Sequence, residues 1–331
     1  MERANAFHDE KSAPTAGGES TRTVIVAFGA NVAVAVAKTV AATLSGSASM
    51  VAEAAHSWAD TGNQVFLLVA NRRSTRTADA KRPLGYGREA YVWSLLAAVG
   101  LFVAGAAVSV WHGITELLHE GGSGQDYAIA YLVLGIAFLL EGASWLQATR
   151  QLGGEAESFH QDILEYVLET SDPTLRAVFA EDSAALIGIV IAFAGMGLHQ
   201  LTGAAVWDAL GSVLVGVLLG VIAVVLIDRN RRFLTGEPAS PELRAAAAAR
   251  IEEMPEVATV RFVRLEYVGP RQVFLVASVD LVGDPAESSI ALTLRSLERE
   301  LERNPHIADA VLTIAAPEDD TWSDPQQLRD H

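Results

Sequence analysis

A row of ionisable residues lies inside an apolar stretch that is long enough to cross a lipid bilayer. The stretch runs over Met50–Ala70, and its ionisable residues are Glu53, His56 and Asp60. A membrane helix needs about 20 residues, and a charged side chain near its middle costs roughly 3 kcal/mol. Such residues therefore face the interior of a helix bundle, pair with one another or carry the function.

The spacing of these residues predicts half of a metal site. His56 and Asp60 are four residues apart, so they lie on one face of a helix, and Glu53 lies close to that face, three residues before His56. An imidazole and a carboxylate one turn apart supply two ligands of a tetrahedral zinc-like site. Asn63 and Gln64 follow one turn later and are candidates for orienting Asp60. The remaining ligands must come from another helix.

Composition predicts a membrane protein with several spans. The chain has 331 residues, of which 50% are hydrophobic, and six apolar windows each approach the length of one span. These windows are Val24–Leu44, Met50–Ala70, Tyr91–Trp111, Tyr127–Leu146, Leu175–Leu198 and Ala204–Ile227. The net charge of −16 and the lack of a basic face exclude nucleic acid as an expected partner. The chain has no cysteine, so a metal would be held by His, Asp, Glu, amides or water.

The connectors between the spans differ in their content of Lys and Arg. Basic residues follow the second and sixth spans, whereas Ser45–Ser49, His112–Asp126 and His199–Gly203 contain none. The positive-inside rule then predicts that both termini are cytoplasmic, in agreement with an even number of spans, and we expect a multi-pass protein of the inner membrane. Residues 1–22 read as a disordered cytoplasmic tail, and residues 23–232 as a six-helix transmembrane bundle.

Beyond the sixth span the composition becomes that of a small soluble domain, which we predict over residues 239–317. Ser240-Pro241 is a helix start, and two β-rich segments flank Gly269-Pro270-Arg271 in the manner of a hairpin. A second helix and a third strand complete a predicted α-β-β-α-β order. A domain of this size has a thin core and would gain from pairing with a second copy, so we expect a homodimer. Residues 318–331 form an acidic tail.

The fifth span contains acidic residues that could complete the metal site predicted in the second span. Glu181 and Asp182 enter this apolar helix near its cytoplasmic end, and Asp182 would converge with His56 and Asp60 if the two spans pack together. Adjacent residues point about 100° apart around a helix, so only one of the two acids is expected to be a primary ligand. Asp208, in the sixth span, is a candidate for interhelical packing or for proton coupling.

Several segments together resemble the cation diffusion facilitators, a family that exports zinc and related divalent metals in exchange for protons. The resemblance covers nearly the whole chain. Its most specific parts are Ser45-Gly46-Ser47, His56-xxx-Asp60, the run from Arg82 to Glu89 that reads RPLGYGRE, and Asp208-Ala209-Leu210-Gly211-Ser212. The resemblance implies six spans, cytoplasmic termini and a C-terminal α-β-β-α-β domain that mediates dimerisation.

The family's transport site combines a His/Asp-xxx-Asp pair in span two with a second such pair in span five. Carried over by position, this implies His56, Asp60 and Asp182 as ligands. The first position of the second pair is Val178, which has no ligand atom. The sequence around Glu181 is similar to a subgroup that contains the ninth human zinc transporter and lacks this residue. Glu181, Glu53, Asn63 or water would then complete the site.

These features predict a zinc/proton antiporter that exports metal from the cytoplasm, a secondary transporter and not an enzyme. Metal and protons compete for the same groups, because a divalent cation requires deprotonated ligands. Imidazole and carboxylates favour zinc as cargo, with Fe²⁺, Co²⁺, Ni²⁺ or Mn²⁺ as other transported ions and no bound cofactor. Two alternatives remain open: a membrane metal sensor or scaffold that does not transport, and an intramembrane metalloenzyme, whose His-Glu-x-x-His pattern the chain does not match.

Overall fold

The computed structural model describes residues 21–118, 127–158, 162–283 and 286–316. The predicted acidic tail at 318–331, and residues 1–20 of the predicted N-terminal tail, lie outside the described residues. The described chain divides into two units. A helical unit contains residues 21–72 and 90–231, and a C-terminal unit contains residues 73–89 and 232–316.

Long helices dominate the chain before residue 236. In chain order the helices are α1 (Thr21–Ser45), α2 (Ala48–Ser74), α3 (Glu89–Leu118), α4 (Ala128–Ser158), α5 (Ile163–Glu169), α6 (Pro173–Thr202) and α7 (Val206–Thr235). Helix α3 contains a π-helical segment at Leu101–Ala107. The start of α6 is fixed locally, because Asp172 accepts hydrogen bonds from the backbone N–H groups of Thr174 and Leu175 and Pro173 occupies the first turn.

Five of these helices are long and apolar enough to cross a membrane: α1, α3, α4, α6 and α7. They correspond to five of the six predicted spans, and each helix is longer than its apolar window. The remaining window, Met50–Ala70, is the second in the sequence and falls within α2, which has 27 residues but is too polar to belong to this set. Its polar residues explain the difference, since Glu53, His56 and Asn63 are buried inside the unit instead of facing outward.

Small residues let the helices approach closely. A core of buried side chains that includes Ala41, Ala130 and Ala192 joins α1, α4 and α6. Helices α3 and α7 meet at Gly216, where an added Cβ atom would lie 2.7 Å from a side-chain carbon and 2.8 Å from the backbone nitrogen of Val110. Backbone atoms at this distance cannot move aside like a flexible side chain, so the contact requires glycine.

The C-terminal unit contains a three-stranded sheet and two helices. The elements follow the order α8 (Pro241–Glu252), β1 (Val257–Gly269), β2 (Gln272–Leu281), α9 (Glu287–Leu301) and β3 (Ile307–Ile314). Strand β2 lies in the centre, antiparallel to β1 and parallel to β3. The predicted helix start is confirmed, because the Ser240 hydroxyl accepts a hydrogen bond of 3.2 Å from the Leu243 N–H. Buried residues of both helices and all three strands form one core.

The segment that reads RPLGYGRE, before α3, packs on this sheet. Arg88 forms an ion pair of 2.6 Å with Glu266 on β1, and an added Cβ atom at Gly87 would lie 2.6 Å from the Cα atom of Gly269. Within the segment, the Tyr86 hydroxyl donates a hydrogen bond of 2.7 Å to Asp79, which lowers the pKa of that carboxyl group. Gly87 and Arg88 thus have a structural role at the hairpin between β1 and β2.

Candidate metal site

The polar row of α2 lies inside the helical unit. Glu53 and His56 have 0% of their surface exposed, Asn63 has 2%, and the side chain of Asp60 has 19%. Helical periodicity brings all four to one side of α2, at intervals of three, four and three residues. The predicted placement of His56 and Asp60 on one helical face therefore agrees with the geometry.

Each of these four side chains has at least one polar atom without a hydrogen-bond partner. The His56 Nε2 atom lies 3.4 Å from Asp60 Oδ2, an ion-pair distance but not a hydrogen bond. Among the described residues, five buried atoms of α2 lack a partner: Glu53 Oε1, His56 Nδ1, His56 Nε2, Asp60 Oδ1 and Asn63 Oδ1. Buried polar groups in proteins are almost always satisfied, so a row of unsatisfied atoms indicates a place for a bound ion or water.

The two acids of α6 point in different directions. Glu181 is buried and accepts a hydrogen bond from the side-chain amide of Asn63, and its charge interacts with Asp60. Asp182 is half-buried and accepts a hydrogen bond of 2.9 Å from the hydroxyl of Ser144 on α4. Glu181 is therefore the acid that faces the polar row of α2. Adjacent positions of a helix point about 100° apart, so only one of the two acids can face α2. Which acid does so depends on the rotation of α6 about its axis.

Glu53 forms an ion pair with a buried lysine of α1. The ammonium of Lys38 on α1 lies 3.0 Å from Glu53 Oε2 and 3.2 Å from Oε1 of Glu141 on α4. One oxygen of Glu53 is thus committed to an ion pair. Lys38 and Glu141 each stand in the sequence as a charged residue within an apolar window, which is the signal that could have identified them. Lys38 is separated from Glu53 by 15 residues and from Glu141 by 103 residues, so the sequence does not indicate these pairs.

Asp208 caps the N-terminus of α2. Its carboxylate accepts hydrogen bonds from the Ser47 hydroxyl at 2.8 Å and from the backbone N–H groups of Ala48 at 2.6 Å and Ser49 at 3.3 Å. The Ser49 hydroxyl donates to the backbone carbonyl of Asp208 at 2.7 Å. Ala48 is eight residues before His56, about 12 Å along the helix, so Asp208 acts at the end of α2 and not at its centre.

The geometry brings some of the predicted residues together and leaves others apart. His56 and Asp60 lie 3.4 Å apart, and Asn63, on the same side of α2, donates a hydrogen bond to Glu181, whereas Asp182 contacts Ser144. Gln64 is half-buried at the next position of α2. Within the described ranges, no three His, Asp or Glu side chains are close enough together to hold a metal ion. The described side chains around His56 therefore do not form a complete metal site in this arrangement.

The sequence matches known metal transporters over most of its length. A family model described as the cation efflux transmembrane domain matches residues 24–234. The chain is 37% identical over 238 residues to the proton-coupled zinc antiporter SLC30A9, mitochondrial, of Mus musculus, which covers 72% of this chain and 42% of that protein. It is 34% identical over 234 residues to metal tolerance protein C4 of Arabidopsis thaliana, covering 71% of this chain and 51% of that protein.

A bacterial relative matches over a longer part of both proteins. The chain is 26% identical over 271 residues to the zinc transporter ZitB of Escherichia coli, covering 80% of this chain and 79% of that protein. By contrast, the match spans only about half of the plant relative and less than half of the mouse relative. The family model covers all the long helices that carry the polar row and its neighbours. The chain therefore belongs to the cation efflux family.

Proposed function

We propose that this chain is a proton-coupled exporter of divalent metal ions, with zinc as its main cargo. The observation that carries the proposal is the row of buried, unsatisfied polar atoms on α2, which offers an imidazole and carboxylates to a cation. The names of the mouse antiporter and the bacterial zinc transporter support the same activity. In this proposal the protein is a secondary transporter and has no catalytic role.

The proposed ligands are His56 and Asp60, joined by Glu181. Glu181 is preferred to Asp182 because it is buried and faces Asn63 on α2. Three protein ligands with one open position are sufficient to bind zinc and also favour exchange. Metal binding requires these groups to be deprotonated, so protons that reach the site from the other side of the membrane displace the ion. This competition couples export of the metal to import of protons.

The proposal places six spans across residues 23–232, with α2 as the polar inner span. Its length of 27 residues suffices for crossing, and the apolar outer helices cover its polar face. The basic residues after α2 and α7 support cytoplasmic termini in the inner membrane. The domain at 239–317 is proposed to pair with a second copy. Phe262 and Val311, on the sheet, are 44% and 38% exposed and support this pairing.

A flux experiment tests the function directly. Purified protein in liposomes should transport zinc when the pH gradient draws protons in the opposite direction, and collapse of the gradient by an ionophore should slow transport. Competition by cobalt, nickel, ferrous iron and manganese ions would rank the cargo, and the His56 imidazole should favour zinc over manganese. Metal binding without flux would contradict the exporter and would favour a sensor.

The choice between the two acids of α6 gives a sharper test. We expect Glu181→Gln to weaken zinc binding about 10–100-fold, because the amide keeps the shape but loses the charge that faces Asp60. Asp182→Asn is the matched control at the neighbouring position and should change binding by less than about threefold, since Asp182 contacts Ser144. Both affinities are measured by calorimetry on purified protein. The opposite order would make Asp182 the third ligand, as the family pattern implies.

A further inference from the structure

Lys38 lies in the interior of the helical unit between carboxylates from two other helices. Its ammonium lies 3.0 Å from Glu53 and 3.2 Å from Glu141, and the side chains of Lys38 and Glu53 are 0% exposed. A buried charge persists in a protein only when it is paired and held in good geometry. The two carboxylates thus bind a cation that the protein itself supplies, the ammonium of Lys38.

Without the ammonium, the same carboxylates would offer a site to a metal ion. Oxygens from two helices that converge on one point are typical of sites for Mn²⁺ and Mg²⁺. Each oxygen would move inward by about 1 Å to reach a metal–oxygen distance of about 2.1 Å. The second oxygen of Glu53, Oε1, lacks a hydrogen-bond partner among the described residues and would supply a further ligand.

The packing around Glu53 keeps space for this carboxylate. A Cβ atom at Gly188 on α6 would collide with Glu53 Oε1, so a larger residue there would displace this carboxylate oxygen. Because glycine lowers helix stability by about 1 kcal/mol relative to alanine, this space has an energetic cost. The Glu53 carboxylate is therefore built into the junction of α1, α2, α4 and α6.

The lysine lies next to the proposed transport site, one helical turn away. Glu53 precedes His56 by three residues, and the charge of Lys38 interacts with both His56 and Asp60. Two neighbouring sites would then differ in chemistry: one contains an imidazole, which suits zinc, and the other contains only oxygens, which suits harder ions. The ammonium occupies the second.

We infer that Lys38 is an internal cation that closes the oxygen-only site between Glu53 and Glu141 to divalent metal ions. It thereby determines specificity, because it leaves the polar interior around α2 with one metal position, the one that contains His56. The inference deepens the proposed function and rests on it for the identity of the cargo. Its central claim, a manganese site masked by an ammonium, concerns binding and is measurable without transport.

Manganese binding to the full-length protein tests the inference. Free Mn²⁺ is titrated with detergent-purified protein at neutral pH and followed by electron paramagnetic resonance, in which bound and free ions give different spectra. We expect Lys38→Ala to bind Mn²⁺ at least about tenfold more tightly than the wild type, because removal of the ammonium frees two charged ligands. Lys38→Arg keeps the charge and should bind like the wild type. Lys38→Ala with Glu141→Gln should lose the gained affinity.

An unchanged Mn²⁺ affinity in Lys38→Ala would overturn the inference. If that variant does not elute as folded protein, Lys38→Gln provides the same test, since its amide keeps hydrogen-bond donors but carries no charge. A gain that survives Glu141→Gln would also overturn it, because the new site would then lie elsewhere. Zinc binding by His56→Ala, measured on parallel preparations, separates the two proposals. If this variant binds zinc as tightly as the wild type, the proposed function is contradicted, but the comparison of manganese binding between Lys38→Ala and the wild type stays valid.

Discussion

Alanine in place of His56 or Asp60 will lower zinc transport at least about 100-fold. Both side chains lie on the buried face of α2, where their unpartnered atoms are the main reason for proposing a metal site. Loss of an outer partner of a metal ligand already costs about 10–100-fold in affinity, so loss of a ligand costs at least as much. The initial rate of radiolabelled zinc uptake into proteoliposomes, at equal protein content, measures the effect.

A control on the same helix separates loss of a ligand from general damage. Val65 is 48% exposed on the outer side of α2, and Val65→Ala should keep transport within about twofold of the wild type. Elution volume and helical content report whether each variant is folded. Zinc uptake at the wild-type rate by either His56→Ala or Asp60→Ala would remove the proposed site and, with it, the physical basis of the exporter.

The part of the site within α2 could be predicted because local geometry determines it. A separation of four residues places His56 and Asp60 on one face of any helix, whatever the surrounding fold. The apolar flanks then required that face to point inward, and the burial of His56 agrees with this requirement. In the same way, β-rich segments around Gly269-Pro270-Arg271 indicated the hairpin that the structure contains.

The part of the site that depends on packing between helices could not be predicted. Which of Glu181 and Asp182 faces α2 depends on the rotation of α6 about its axis, and adjacent positions carry acids of similar chemistry. The pairing of Lys38 with Glu53 and Glu141 likewise depends on which helices are neighbours. The sequence marked Glu53, Glu181 and Asp182 as ionisable residues in apolar segments, but it gave no distance between any of these side chains.

The sequence singled out Asp208 but did not decide its role. Packing between helices and proton coupling were both compatible with a carboxylate in the sixth span. The hydrogen bonds from Ser47, Ala48 and Ser49 favour packing, since they use both carboxylate oxygens. The partners are 159 to 161 residues away in sequence, and no local capping pattern predicts a cap supplied from another helix.

We expect Asp208→Ala to destabilise the helical unit by about 3 kcal/mol. The substitution leaves three buried donors at the N-terminus of α2 without an acceptor and removes a negative charge from the positive end of the helix dipole. Thermal unfolding of the purified protein in detergent measures the loss. Asp228→Ala is the matched control on α7, because the Asp228 side chain is 42% exposed and its ion pair of 2.8 Å with Arg231 should contribute less than about 1 kcal/mol.

Asp208→Asn then distinguishes a cap from a proton carrier. Asparagine keeps one acceptor oxygen and the shape of the side chain, so it should restore part of the lost stability. It cannot exchange a proton at this position, so a proton carrier would lose coupling, and zinc transport would no longer respond to the pH gradient. If Asp208 is a cap, the variant should be less stable than the wild type. The pH gradient should nevertheless accelerate its zinc transport by the same factor as in the wild type. Loss of that acceleration in a folded protein would assign Asp208 to proton transfer.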